Sequence, residues 1–165
     1  VQPSSNNGGA PLSQPAKPIE GGNVIRLNKW HLQSNRIVAD DGTDARARSF
    51  EMLRTQLIQR LQETGFQSVG ITSPTSGCGK TVSAINLAFS IARLPERTVT
   101  LIDLDMRKPQ VAAYLGLKAG PSVENLLRGE AKLTDVAIMP EGVQGRLRIL
   151  PTYRASRDAA RTRLP

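Results

Sequence analysis

Apolar residues recur along this chain at two spacings, and the switches between them mark out its elements. From Thr43 to Glu63, Ala47, Phe50, Leu53, Leu57 and Leu61 return at intervals of three and four. That spacing predicts one face of an amphipathic helix, with Arg46, Arg48, Glu51, Arg54 and Arg60 on its polar side. The short run Ser68-Val69-Gly70-Ile71 reads as a β-strand and Val82 to Arg93 as a helix. Val99 to Leu104 is apolar almost without a break, the pattern of a parallel strand buried on both faces, and Leu147 to Leu150 is the last strand candidate. Strand, helix and strand in this order predict an α/β architecture of three layers with a mainly parallel sheet. Residues 1–23 mix Pro, Gly, Ser, Asn and Gln with few apolar residues, and such a mixture cannot offset the entropy of ordering, so a disordered linker is expected there.

Composition narrows the class. The chain has 165 residues, enough for one domain with a true core, but only 4% are aromatic, so that core must rest on Val, Ile, Leu and Ala. A single cysteine excludes an internal disulfide framework and fits a reducing cytosol. The most apolar stretch, Ala84 to Ala92, is interrupted by Asn86 and Ser90, so neither a membrane span nor a signal peptide is expected. The net charge is +8, and Arg146, Arg148, Arg154, Arg157, Arg161 and Arg163 supply six positive charges in the last twenty residues. Tyr153 is the only aromatic among them, so residues 153–165 read as a basic tail, solvated or near a membrane, and no specific nucleic-acid partner is expected.

The chemistry concentrates in Thr72-Ser73-Pro74-Thr75-Ser76-Gly77-Cys78-Gly79-Lys80-Thr81, set between the expected strand and the expected helix. A glycine turn opening a helix presents backbone N–H groups and the positive end of the helix dipole to an anion. Gly77 and Gly79 let the backbone approach phosphate oxygens, Lys80 can reach the β- and γ-phosphates, and the Thr81 hydroxyl can ligate Mg²⁺. Ser76 and Cys78 complete the loop. The pattern G-x-x-x-x-G-K-[ST] is missed at one position, where Pro74 replaces the first Gly. A second candidate is Val99-Thr100-Leu101-Ile102-Asp103-Leu104-Asp105-Met106-Arg107. Ligands gather at the carboxyl ends of parallel strands, where Asp103 can hold Mg²⁺ and Asp105 can act as a base or a second group in the metal shell. The plainer reading of these carboxylates is that they end a strand and cap the following turn.

Together, the run Ile71 to Thr81, then Asn86-Leu87-Ala88, then Leu101 to Pro109 resembles the cytoplasmic domain of bacterial tyrosine autokinases of exopolysaccharide and capsule export. The resemblance covers about residues 36 to 151 and rests on the paired Walker A loop and Walker A′ strand end. It implies a P-loop NTPase-like fold over residues 24–152, with ATP and Mg²⁺ as cofactors. Lys80, Asp103 and Asp105 would be catalytic, residues 76–81 would bind phosphate, and Thr81 and Asp103 would hold the metal. It further implies transfer of the γ-phosphoryl group to tyrosine, in a homo-oligomer at the inner face of the plasma membrane. A membrane-embedded regulator of polysaccharide chain length would be the partner. The family usually places Glu-x-x-Arg-x-x-Arg on its N-terminal helix for subunit contact; here Arg48, Glu51 and Arg54 stand at those positions, so two of the three charges are exchanged, and the pairing is either kept with reversed partners or lost. Partition and septum-positioning ATPases carry a signature lysine where this chain has Thr75, which disfavours that reading. No apolar run ending in Asp follows Leu104 to serve as a Walker B strand, nor is there a tyrosine-rich tail. The domain is therefore expected to be incomplete at its C-terminal side, and a non-catalytic nucleotide-binding module of the export complex stays open as an alternative.

Overall fold

The computed structural model describes residues 17–75 and 77–153. Four short strands, β1 (Asn23–Ile25), β2 (Val99–Ile102), β3 (Ile138–Pro140) and β4 (Leu147–Leu150), form one sheet in the order β1-β3-β4-β2. Two of its pairings are parallel, β1 with β3 and β2 with β4, while β3 and β4 run antiparallel. Val99 sits opposite Leu147 and Ile102 opposite Leu150, and the Asp103 N–H carries the ladder one step further by donating to the Leu150 carbonyl at 3.0 Å. Six helices accompany the sheet: α1 (Lys29–Ser34), α2 (Arg48–Thr64), α3 (Lys80–Ala92), α4 (Val111–Leu115), α5 (Val123–Leu127) and α6 (Leu133–Val136).

The core is organised around α3. Its Ile85, Ala88, Phe89 and Ala92 are buried with Leu147 and Ile149 of β4, Val111 and Leu115 of α4, and Leu32 and Ile37 at the end of α1. Apart from Phe89, these are the aliphatic side chains that the composition requires of a chain poor in aromatics. A smaller cluster of Val123, Val136, Ala137 and Leu150 closes the far side of β4. Arg146 donates from Nε to the Ala92 carbonyl at 2.8 Å, placing a cation on the negative end of α3. Arg148 donates to the Glu20 carbonyl at 3.1 Å, and the Ile19 N–H donates to Gly145 at 2.9 Å. Chain assigned by composition to a linker is thus tied to the sheet from Ile19 onward, and two of the six C-terminal arginines serve the fold. Arg154, Arg157, Arg161 and Arg163 lie outside the described residues, as do residues 1–16.

Two expectations need correcting. Ser68 to Ile71 forms no strand: residues 66–72 carry neither helix nor strand, and Val69 and Ile71 are 49% and 40% exposed. An extended run becomes a strand only when a neighbour takes up its N–H and C=O groups, and no described strand pairs with this one. The predicted amphipathic helix does form, as a 3₁₀ turn (Ala45–Ala47) capped by Asp44 and followed by α2, which stops at Gly65 in the left-handed region (φ 71°). Yet no residue of α2 is buried. It packs along α3 with Leu57, Ile58 and Leu61 half-buried, and Arg54, placed by the sequence on the polar side, donates to the Ser90 carbonyl at 3.0 Å.

The join between the N-terminal segment and α3 is polar. Asn86 is fully buried, and its side-chain oxygen accepts from the Val38 and Ala39 N–H groups at 2.7 and 3.0 Å. Its amide nitrogen donates to the carbonyls of Arg36 and Val82, both at 2.9 Å. Just upstream, α1 ends in a Schellman motif: the Ile37 N–H donates to Leu32 at 2.9 Å and the Arg36 N–H to Gln33 at 3.0 Å, with Leu32 and Ile37 buried together. The residue turned into the left-handed region is Arg36 (φ 62°), where glycine would be more stable by about 1 kcal/mol. Replacing Asn86 by Ala strands two buried N–H groups at once. Asn86→Ala is therefore expected to lower unfolding stability by roughly 2–4 kcal/mol, read as a shift of the urea midpoint without a large change in slope.

Candidate functional site

The loop ahead of α3 leads into a helix whose N-cap residue, like those of α2 and α4, supplies no side-chain cap. α1 is capped by Asn28, the 3₁₀ turn by Asp44 and α5 by a capping box from Ser122 and Asn125. α3 begins at Gly79 with no side-chain cap, which leaves its first N–H groups without a side-chain acceptor at the positive end of a thirteen-residue helix. Gly77 and Gly79 hold φ of 83° and 82°, values that only glycine adopts without strain, and a Cβ added at either would meet open space. The glycines thus serve the backbone turn and keep the approach to those N–H groups clear. Ser73 Oγ donates to the Thr75 carbonyl, and Thr75 Oγ1 and Cys78 Sγ are hydrogen-bonded at 2.8 Å, both bracing the loop from within. Ser76 lies outside the described residues.

An open cavity of about 510 Å³ lies over this loop, with Gly77, Gly79, Lys80 and Thr81 on one wall. Asp105, Arg107, Lys108, Gln110 and Tyr114 form another, and Ser34, Asn35 and Arg36 a third. Lys80 Nζ stands 3.4 Å from Asp105 Oδ2, so the loop and the end of β2 meet across the cavity. A hydrogen bond from the Lys108 N–H, and after it the ammonium of Lys80, hold the Asp105 carboxyl below its usual range. A carboxylate with a lowered pKa contributes stability above its unfolded value, near 3.8, and loses that contribution as pH falls through the folded value. The ion pair with Lys80 therefore persists through neutral pH.

The two carboxylates at the end of β2 take different positions. Asp105 reaches the cavity, whereas Asp103 is 6% exposed and does not line it. Asp103 Oδ2 accepts from the N–H groups of Gln110 and Val111, and Oδ1 from that of Asp105, each at 3.1 Å. It caps α4 from a distance and sets the turn that aims Asp105. Thr152 donates to the Asp103 carbonyl at 2.7 Å and fixes it from the side of β4. A site for Mg²⁺ can be tested against these donors. Among the described residues no cluster of three His, Cys, Asp or Glu exists to cage a metal, which suits an ion held chiefly by phosphate oxygens, water and one or two protein oxygens. Thr81 and Asp105 line the cavity and fit that role. Asp103, expected to be a metal ligand, is already engaged by three N–H donors.

Sequence reasoning singled out the loop, Asp103 and Asp105. It did not anticipate the wall made by Ser34, Asn35 and Arg36, nor Gln110 and Tyr114, because nothing in the spacing of residues 34–39 reports that Asn86 ties Arg36, Val38 and Ala39 to α3. Asn86 within Asn86-Leu87-Ala88 is the one signal in the sequence.

An uncapped helix N-terminus behind a glycine turn, a lysine reaching into an open cavity and a strand-end carboxylate opposite it define a P-loop nucleotide-binding domain of α/β fold. The chain belongs to the CobQ/CobB/MinD/ParA nucleotide binding domain family, whose model matches residues 69–151. Over about three quarters of its length it is similar to bacterial tyrosine-protein kinases. EpsB of Ralstonia solanacearum, named as a tyrosine-protein kinase, is 34% identical over 126 residues, 76% of this chain. Over a shorter stretch, 64 residues or 38% of this chain, the chromosome-partitioning ATPase Soj of Thermus thermophilus is 44% identical. The chain spans 16% of the length of EpsB and 24% of that of Soj. The crystal structure of the chimerical protein CapA2B2 matches the fold with a TM-score of 0.59 at 23% identity, over 86% of this chain and 57% of that one. No helix among the described residues is long and apolar enough to cross a membrane.

Since Asp105 competes with an incoming phosphate for Lys80, Asp105→Asn should bind ADP about two- to fivefold more tightly when Mg²⁺ is chelated, the range of an exposed ion pair. The gain should vanish or reverse in excess Mg²⁺. Calorimetric titration under both conditions checks it.

Proposed function

We propose that this chain is the nucleotide-binding part of a bacterial tyrosine autokinase that regulates exopolysaccharide polymerisation and export. The observation that carries the reading is the meeting of Lys80 and Asp105 across a cavity floored by the uncapped end of α3. In this scheme the N–H groups from Gly77 to Thr81 cradle the inner phosphates, and Lys80 leaves Asp105 to neutralise the outer ones. When bound, Mg²⁺ would spread the charge of the outer phosphates and fix their geometry. Thr81 and the released Asp105 are the residues placed to hold it, while Asp103 holds the turn on which Asp105 is carried. Asp105 is also the one carboxylate among the described residues that lines the cavity, and there it can take the proton of a tyrosine acceptor. Phosphoryl transfer depends mainly on positioning and charge neutralisation, and those are the services this wall of residues can offer. The partner in this reading is a membrane-embedded regulator of polysaccharide chain length, with assembly into a homo-oligomer. The likeness to Soj supports a second reading, an ATPase without a tyrosine acceptor, against which Thr75 stands where such enzymes carry their signature lysine.

Titration calorimetry with Mg-ATP on the wild type and on Lys80→Met tests the binding step. Loss of one charge-assisted contact should cost about 1.5–3 kcal/mol, or roughly ten- to a hundredfold in affinity, and equal heats for the two proteins would end the proposal. Incubation with γ-labelled ATP and Mg²⁺ separates the readings. Label on phosphotyrosine that disappears in Asp105→Asn supports the kinase, whereas free phosphate with unlabelled protein supports the ATPase.

A further inference from the structure

Arg36 occupies a backbone position that suits it poorly. It is the left-handed residue of the Schellman turn that ends α1, with φ of 62°. Nothing in the packing calls for its side chain: the apolar contact of the motif is made by its neighbours Leu32 and Ile37, Arg36 itself is exposed, and among the described residues no carboxylate pairs with it. A strained position kept by a non-glycine residue directs attention to what the side chain does elsewhere. Here it lines the cavity that contains Lys80.

The connection between the two is built into α3. Gly79, Val82 and Asn86 fall at i, i+3 and i+7 and so share one stripe of the helix. Asn86 holds the Arg36 carbonyl at one end of that stripe, and Gly79 belongs to the phosphate loop at the other. The segment carrying Arg36 therefore lies along the helix face that leads to the loop. Around the cavity stand Arg36, Lys80, Arg107 and Lys108 against the single carboxylate of Asp105. The loop N–H groups serve the inner phosphates of a nucleotide. A cation brought in from a separate element on the facing wall meets charge that the loop does not cover.

We infer that Arg36 contacts the terminal phosphate of a bound nucleoside triphosphate and so makes the site prefer triphosphate over diphosphate. This rests on the nucleotide-binding reading above and adds to it a selectivity residue outside the P-loop and the strand end. Arginine suits the task because its planar fork can bond two oxygens of one phosphate.

The test measures affinities for Mg-AMPPNP and Mg-ADP on wild type, Arg36→Gln, Arg36→Gly, Arg36→Lys and Lys80→Met. Arg36→Gln should lose about tenfold for AMPPNP, the loss of one charge-assisted phosphate contact, with little change for ADP. Arg36→Gly should show the same selective loss while its melting temperature rises, since glycine relaxes the left-handed turn. Arg36→Lys should recover part of the affinity for AMPPNP. Unchanged AMPPNP binding in both Arg36→Gln and Arg36→Gly, or equal losses for the two nucleotides, overturns the inference and leaves nucleotide binding standing. A wild type that binds neither nucleotide, indistinguishable from Lys80→Met, overturns both.

Discussion

The buried side chain of Asn86 is the constraint on which the site depends. Its oxygen and nitrogen make four hydrogen bonds, of which three join residues 36–39 to the middle of α3 and the fourth returns to the Val82 carbonyl of the same helix. A buried amide that is fully satisfied specifies one arrangement and penalises every other, because any slip leaves polar groups unpaired in a dry interior. An apolar contact at the same place would tolerate a shift along the helix. The polar one sets the register of the N-terminal segment against α3, and with it the distance from Arg36 to the phosphate loop. Helix α1, the Schellman turn and the third wall of the cavity all follow from that register.

A comparable division of labour operates at the end of β2. Two aspartates separated by one residue in a strand conformation would point to the same face, but the chain has left the strand by Asp103. The first carboxylate turns inward to hold three N–H groups and starts α4, and the second is thereby delivered to Lys80. Removal of either would disturb the site, the one through geometry and the other through charge.

The sequence was most readable where one residue type has one physical use. Gly77, Gly79, Lys80 and Thr81 could be placed because a left-handed turn, a helix dipole and a phosphate contact leave few substitutes. Helix α2 followed from periodicity and α3, β2 and β4 from their apolar runs, although β2, expected to be buried on both faces, lies at the sheet edge with Ile102 exposed; the α/β class followed from their order. Strands β1 and β3, at three residues each, are too short to leave a periodic signal. Ser68 to Ile71 misled because an apolar run reports a wish for burial, whereas a strand needs a hydrogen-bonding neighbour, which no stretch of local sequence reveals. The helix polar face misled in a related way: Arg54 looks like a surface charge until Ser90, thirty-six residues away in the chain, supplies its acceptors. The contrast between Asp103 and Asp105 was also hidden, since both are aspartates at a strand end and only the partners of their oxygens tell them apart.

The resting pair of Lys80 with Asp105 bears on how ionic strength should act on the site. Lys80 meets an arriving polyanion already neutralised, so it exchanges one partner for another and releases few mobile counterions. Arg36, Arg107 and Lys108 line the cavity with no carboxylate pairing them among the described residues, and they present their charge to solvent with its screening atmosphere. Electrolyte sensitivity thus belongs to the outer rim of the cavity, where approach and capture occur. The inner floor, where the helix amides and Lys80 act, is comparatively indifferent to salt.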